Sequence, residues 1–129
     1  MELAVLIPGL IVVLGLMVVG GRLWFARSTV TEAAYNAARA ASLARTAAQA
    51  ASDGPTAGTR ALATDGLACS PAVVTVSTEA FVVPVGQPAT VTSTVSCRVV
   101  FSDVLLPGMP GSLVIRSTGA AALDTYRSR

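Results

Sequence analysis

The chain has 129 residues, 53% of them hydrophobic and only 12% charged, with a formal net charge of +2. That balance is too apolar for a typical soluble domain, and the length is too short for a multi-span membrane protein. All nine basic residues are Arg, spread from Arg22 to Arg129 without a cluster, and aromatics are 5%. Nucleic-acid binders concentrate basic residues on one face, often among aromatics, so that class is disfavoured.

Residues 3–21, LAVLIPGLIVVLGLMVVGG, carry no charge. An apolar run of this length spans a bilayer as a helix, because the hydrocarbon core needs about 20 residues at a rise of about 1.5 Å each. Glu2 stands just before it. An acid in a first helical turn is favoured by the helix dipole; an acid at the edge of a membrane segment is also one that a partner charge would retain. Pro8-Gly9 predicts a kink or local unwinding, since Pro8 removes a backbone bond and clashes with the carbonyl of Ala4. Arg22 and Arg27 flank Trp24-Phe25, a pattern suited to the polar–apolar boundary. The positive-inside rule would put the rest of the chain in the cytoplasm, whereas a disulfide would put it outside. One escape from that conflict would be a longer, more basic N-terminus with its leader removed or omitted here.

Residues 29–52 contain neither Pro nor Gly and are rich in Ala, the best helix former. One continuous helix over residues 2–52 is expected, roughly 75 Å long. Ala33, Ala37, Ala41, Ala44 and Ala48 form a smooth face, suited to packing against other helices or the head, or simply solvated on a stalk. Asp53-Gly54-Pro55 is expected to stop the helix. A short helix over residues 56–67, anchored by Leu62 and Leu67, then delivers Cys69. The resulting division is residues 1–52 as the long helix, with 1–27 in the membrane and 28–52 as stalk, and 53–129 as the head.

From Pro71 the period changes to two. Val74 and Val76 alternate with Thr75 and Ser77. Residues 81–88 hold Pro84, Gly86 and Pro88 and read as a loop or edge strand. The clearest strand covers residues 90–101, with Val91, Ser93, Val95, Cys97, Val99 and Phe101 on one face. Residues 102–111, SDVLLPGMPG, form a loop in which Leu105, Leu106 and Met109 are candidate contacts or ordinary packing onto the sheet. Residues 112–118 form a last strand with Leu113 and Ile115 inward, and residues 123–126 pack back. The short connections imply antiparallel pairing, with the long helix covering one face.

Cys69 and Cys97 read as a disulfide in an extracytoplasmic head or as two buried thiols in a cytosolic one. A disulfide closing about 29 residues contributes about 3.6 kcal/mol in the chain-entropy model. There is no His, so no Ser-His-Asp or Cys-His system and no ordinary zinc site can be built. The acids are scattered and no phosphate loop is present. The expectation is a non-enzyme with no cofactor and no metal.

In order, ELAVLIPGLIVVLGLMVVGGRL, TVTEAAYNAARAASLAR, a small head with two cysteines, LLPGMPG and LDTYR resemble a TadE-family pseudopilin of actinobacterial type, within the type IV pilin class. The resemblance implies an α+β fold, a long N-terminal helix packed on a small antiparallel sheet. It implies a subunit of a tight-adherence (type IVb) pilus, first membrane-inserted with its head outside and then packed into a filament that supports surface adhesion. Its partners would be other pilin subunits, the membrane assembly machinery and lipid. Glu2 matches the acid that in the class neutralises the N-terminal amine of a neighbouring subunit. The class has several residues before that acid, whereas here only Met1 precedes it. The rival readings are a membrane-anchored binding module and a signal-anchor scaffold, neither of which polymerises.

Overall fold

A computed structural model describes residues 3–104 and 107–126 of the chain. The first element, α1 (Leu3–Leu43), is a single helix of 41 residues that contains Pro8, about 62 Å long. The helix expected to continue to Ser52 instead breaks at residues 44–46. Thr46 is the cause: its side chain accepts the Gln49 N–H at 3.2 Å, while the Gln49 side-chain oxygen accepts the Arg45 N–H at 3.2 Å. This Thr-x-x-Gln exchange starts a new helix.

That helix, α2 (Ala47–Thr64), passes through Asp53-Gly54-Pro55, so the stop expected there is corrected. Gly54 is a packing residue and not a cap. A Cβ at Gly54 would lie 3.2 Å from the Ala37 carbonyl oxygen and 3.3 Å from the Ala41 Cβ, and one at Gly58 would lie 3.2 Å from the Ala37 Cβ. Two glycines four residues apart present one bare face to α1. The close contact offsets the poor helix propensity of Gly and Pro, about 1 and 3 kcal/mol per residue. The cap falls at Gly66, with φ 71°, where the Leu67 N–H donates back to the Leu62 carbonyl at 3.1 Å. Gly54 meets α1 near Ala41, Gly58 near Ala37, and Leu62 packs with Ala26 and Val30. Hence α2 runs back along α1.

Three antiparallel strands come next, in the order β1 (Ala72–Val76), β2 (Ala89–Val100), β3 (Ser112–Leu123). The register pairs Val74 with Val95, Cys97 with Ile115 and Ala89 with Leu123. The alternation expected in β2 holds: Val91, Ser93, Val95, Cys97 and Val99 are buried. Phe101 leaves that face and opens a short helical turn, α3 (Phe101–Val104). Residues 81–88 form no strand; a 3-10 turn (Glu79–Val82) precedes a turn at Gly86. The last strand does not end at Thr118: its second half, through Leu123, pairs with Ser93 back to Ala89 of β2.

The inner face of the sheet is covered by α1 and α2. Ala26, Val30, Ala33 and Ala34 pack with Leu62, Val95, Cys97, Val99 and Ile115; a second cluster joins Ala41, Ala44 and Ala50 to Ala80, Val91 and Leu123. Cys69 and Cys97 are joined by a disulfide, with Cα atoms 5.1 Å apart.

Candidate assembly surface

Only half of α1 belongs to the head. From Ala26 to Ser42 the buried positions recur every three or four residues: Ala26, Thr29, Val30, Ala33, Ala34, Ala37, Ala38, Ala41, Ser42. Small side chains there let the helix backbone touch the sheet. At Gly119 of β3 a Cβ would stand 2.5 Å from the Ala34 carbonyl carbon and oxygen. Ser93, the register partner of Gly119, donates its hydroxyl proton to the same Ala34 carbonyl. Ser117 donates to the Thr31 hydroxyl at 3.0 Å. The alanine face is thus consumed inside the subunit, and the segment 28–52 is not a free stalk. Ala48 is exposed, because the helix has already broken.

The other half protrudes. Eleven large apolar side chains between Val5 and Val18 are each at least 50% exposed. An 18-residue window of this helix has a mean hydropathy of 2.5, and none of it is buried. From Leu3 to Arg22 the helix is about 30 Å long, the thickness of a hydrocarbon core. Covering eleven such side chains is worth about 20 kcal/mol at about 2 kcal/mol each, so water is not their resting environment. Exposed Arg22, Trp24, Phe25 and Arg27 mark the level at which the helix enters the head.

The sequence-derived site residues are distributed unevenly over this geometry. Pro8 and Gly9 lie in the protruding half, and a Cβ at Gly9 would meet nothing within 4 Å. Glu2, Leu105 and Leu106 lie outside the described residues. Met109 is exposed. Sequence reasoning missed Gly54 and Gly58, Thr46 with Gln49, and the contact of Ser93 and Gly119 with Ala34. The first two carried signals, a four-residue glycine spacing and a capping pair. The third carried none, since it joins residues far apart in the chain.

These features define a class: a small α+β head on an apolar helix long enough to cross a membrane. Residues 1–39 match the family model described as TadE-like protein, a stretch that takes in the protruding half of α1 and the first part of the buried alanine face. No curated protein and no solved structure matches the chain.

Proposed function

We propose that the chain is a structural, non-enzymatic subunit of a Tad (type IVb) pilus. It is held in the cytoplasmic membrane by residues 3–22 with its head outside, and it then polymerises through that helix into an adhesive surface filament. The observation that carries this reading is the bare apolar half-helix, whose side chains have no cover within the subunit. Lipid covers them before assembly and neighbouring helices afterwards, so the exchange is close to neutral in apolar burial and is decided by packing and charge. Glu2 would supply the charge by pairing with a neighbour's N-terminal amine, since a buried charge is tolerable only when paired. The disulfide supports an oxidising, outside location for the head. The lack of His supports a structural and not a catalytic role.

One observation favours the anchored, non-polymerising module instead: the alanine face, a natural helix-packing surface, is already occupied by the head. Polymerisation therefore cannot draw on the alanine face and relies first on the protruding half. Mechanical shearing of cells separates the two readings. The pilus reading expects this chain in sheared fibres, and Glu2→Ala removes it from the fibres while it still floats with membranes. Recovery only in membranes, for the native chain, overturns polymerisation.

A further inference from the structure

The fold gathers at one end of the head residues that are far apart in the chain. Asp103 of α3 lines a depression together with Gly21, Arg22 and Phe25, where α1 enters the head. On another side of α1, Arg27 and Thr31 line a second depression with Leu113, Val114 and Arg116 of β3. Leu113, Ile115 and Val99 belong to the same core cluster as Leu23, Ala26 and Val30, and the shared depression places this end of the sheet at the level of Arg27 and Thr31. Arg98 faces outward beside Arg116: Arg98 pairs with Val114 and Ser96 with Arg116, so the two arginines are diagonal neighbours on one face. Both are exposed, as are Arg22 and Arg27. None of the three strands contains an acidic residue; among the described residues Asp103 is the one acid lining either depression, and Glu32 lines another with Trp24 and Arg27.

We propose that this end of the head docks onto the anionic phospholipid surface of the membrane that α1 crosses. Arg27, Arg98 and Arg116 take the headgroup phosphates, with Trp24 and Met109 in the interfacial layer. Two features select lipid over other anions. The apolar span of α1 ends at Arg22, so Arg27 lies about 8 Å beyond the hydrocarbon edge, within the Debye length of a charged surface; Arg116 lines a depression with it, and Arg98 is the diagonal neighbour of Arg116. Trp24 and Met109 are exposed apolar groups at the same end, and an aromatic belt belongs at a lipid interface. A guanidinium gives phosphate a forked pair of donors, which suits a headgroup. Each arginine contributes about a fivefold preference for an anionic surface. The docked head holds α1 in one orientation relative to the bilayer; leaving the membrane for a filament requires these contacts to break.

The inference rests on membrane insertion of residues 3–22 and not on polymerisation. The full chain is reconstituted into vesicles of phosphatidylcholine alone or with a third of the lipid replaced by phosphatidylglycerol, and insertion is first scored by flotation. Hydrogen exchange is then measured in the peptide covering residues 112–116. In that peptide exchange is expected to be about 25-fold slower in the anionic vesicles, the share of Arg98 and Arg116 at about fivefold each. The slowing is expected to vanish in Arg98→Gln/Arg116→Gln and return in Arg98→Lys/Arg116→Lys. Equal exchange in the two vesicle types, or slowing that survives the double Gln variant, overturns docking. So does protection that grows with the number of chains per vesicle, since a second copy would then be the cover. Failure to float with neutral vesicles overturns the insertion reading itself.

Discussion

Gly119→Ala tests the approach of β3 to the backbone of α1. The added Cβ would sit 2.5 Å from the carbonyl carbon and oxygen of Ala34 and 2.6 Å from the Tyr35 nitrogen, all of them helix backbone. Carbon and oxygen rest about 3.5 Å apart at contact, so β3 and α1 must separate by about 1 Å. Overpacking of this kind costs about 1–3 kcal/mol. The same movement lengthens the bond from the Ser93 hydroxyl to the Ala34 carbonyl, worth about 1 kcal/mol. A total near 3 kcal/mol is a large share of the 5–15 kcal/mol that holds a typical domain folded. Hydrogen exchange of the β3 amides, measured on the full chain in detergent, converts that loss to a rate. Amides that exchange through opening of the head should speed up about 100-fold. Because the obstacle is backbone, Ala34→Gly in the same chain should not restore protection. A change below threefold for Gly119→Ala, or full rescue by Ala34→Gly, would refute the helix-on-strand contact.

The remaining expectations concern α2 and the disulfide. Gly54→Ala gains about 1 kcal/mol of helix propensity, but its Cβ meets the stiff Val76 side chain at 2.5 Å; the net effect is a loss of about 1 kcal/mol by thermal unfolding. Gly58→Ala, with contacts of 3.0–3.3 Å, is expected to stay within about 0.5 kcal/mol of native. Equal effects at the two sites would show that Gly54 is not the tighter contact. Thr46→Ala removes the cap of α2 and is expected to cost about 1 kcal/mol, with Thr46→Ser largely preserving it; a neutral Ala variant would place the helix break elsewhere. Replacing both Cys69 and Cys97 with Ala, which opens a loop of sequence separation 28, is expected to lower stability by about 3.6 kcal/mol. Unchanged denaturant midpoints with and without reductant would show that the bond is not formed.

The parts of the fold that arise from local chemistry were legible in the amino-acid sequence. An uncharged run of bilayer length, period-two alternation in residues 90–99, and an even cysteine pair each state their meaning within a few residues. Boundaries were less legible. Gly54-Pro55 carries the local signature of a helix end, and locally that inference is sound. It fails because the missing Cβ at Gly54 lets α2 approach Ala37 and Ala41, and this tertiary contact outweighs the local propensity. The last strand was cut short for a related reason. GAAAL has little strand propensity of its own, yet its register partners on β2, from Ser93 back to Ala89, complete the ladder.

The alanine face shows the same division between local and tertiary information. Sequence alone determined that one side of α1 was smooth enough for close packing, and that the first half of the helix was too apolar to rest in water. It was silent on what the smooth side packs against, because a row of methyl groups accepts a neighbouring helix, a second subunit or a sheet equally well. The tertiary structure decided that question by bringing Gly119 and Ser93 onto Ala34. Gly54 and Gly58 of α2 share the rest of that face at Ala37 and Ala41. What sequence had determined of the protruding half stands: an apolar helix of bilayer length with no cover of its own.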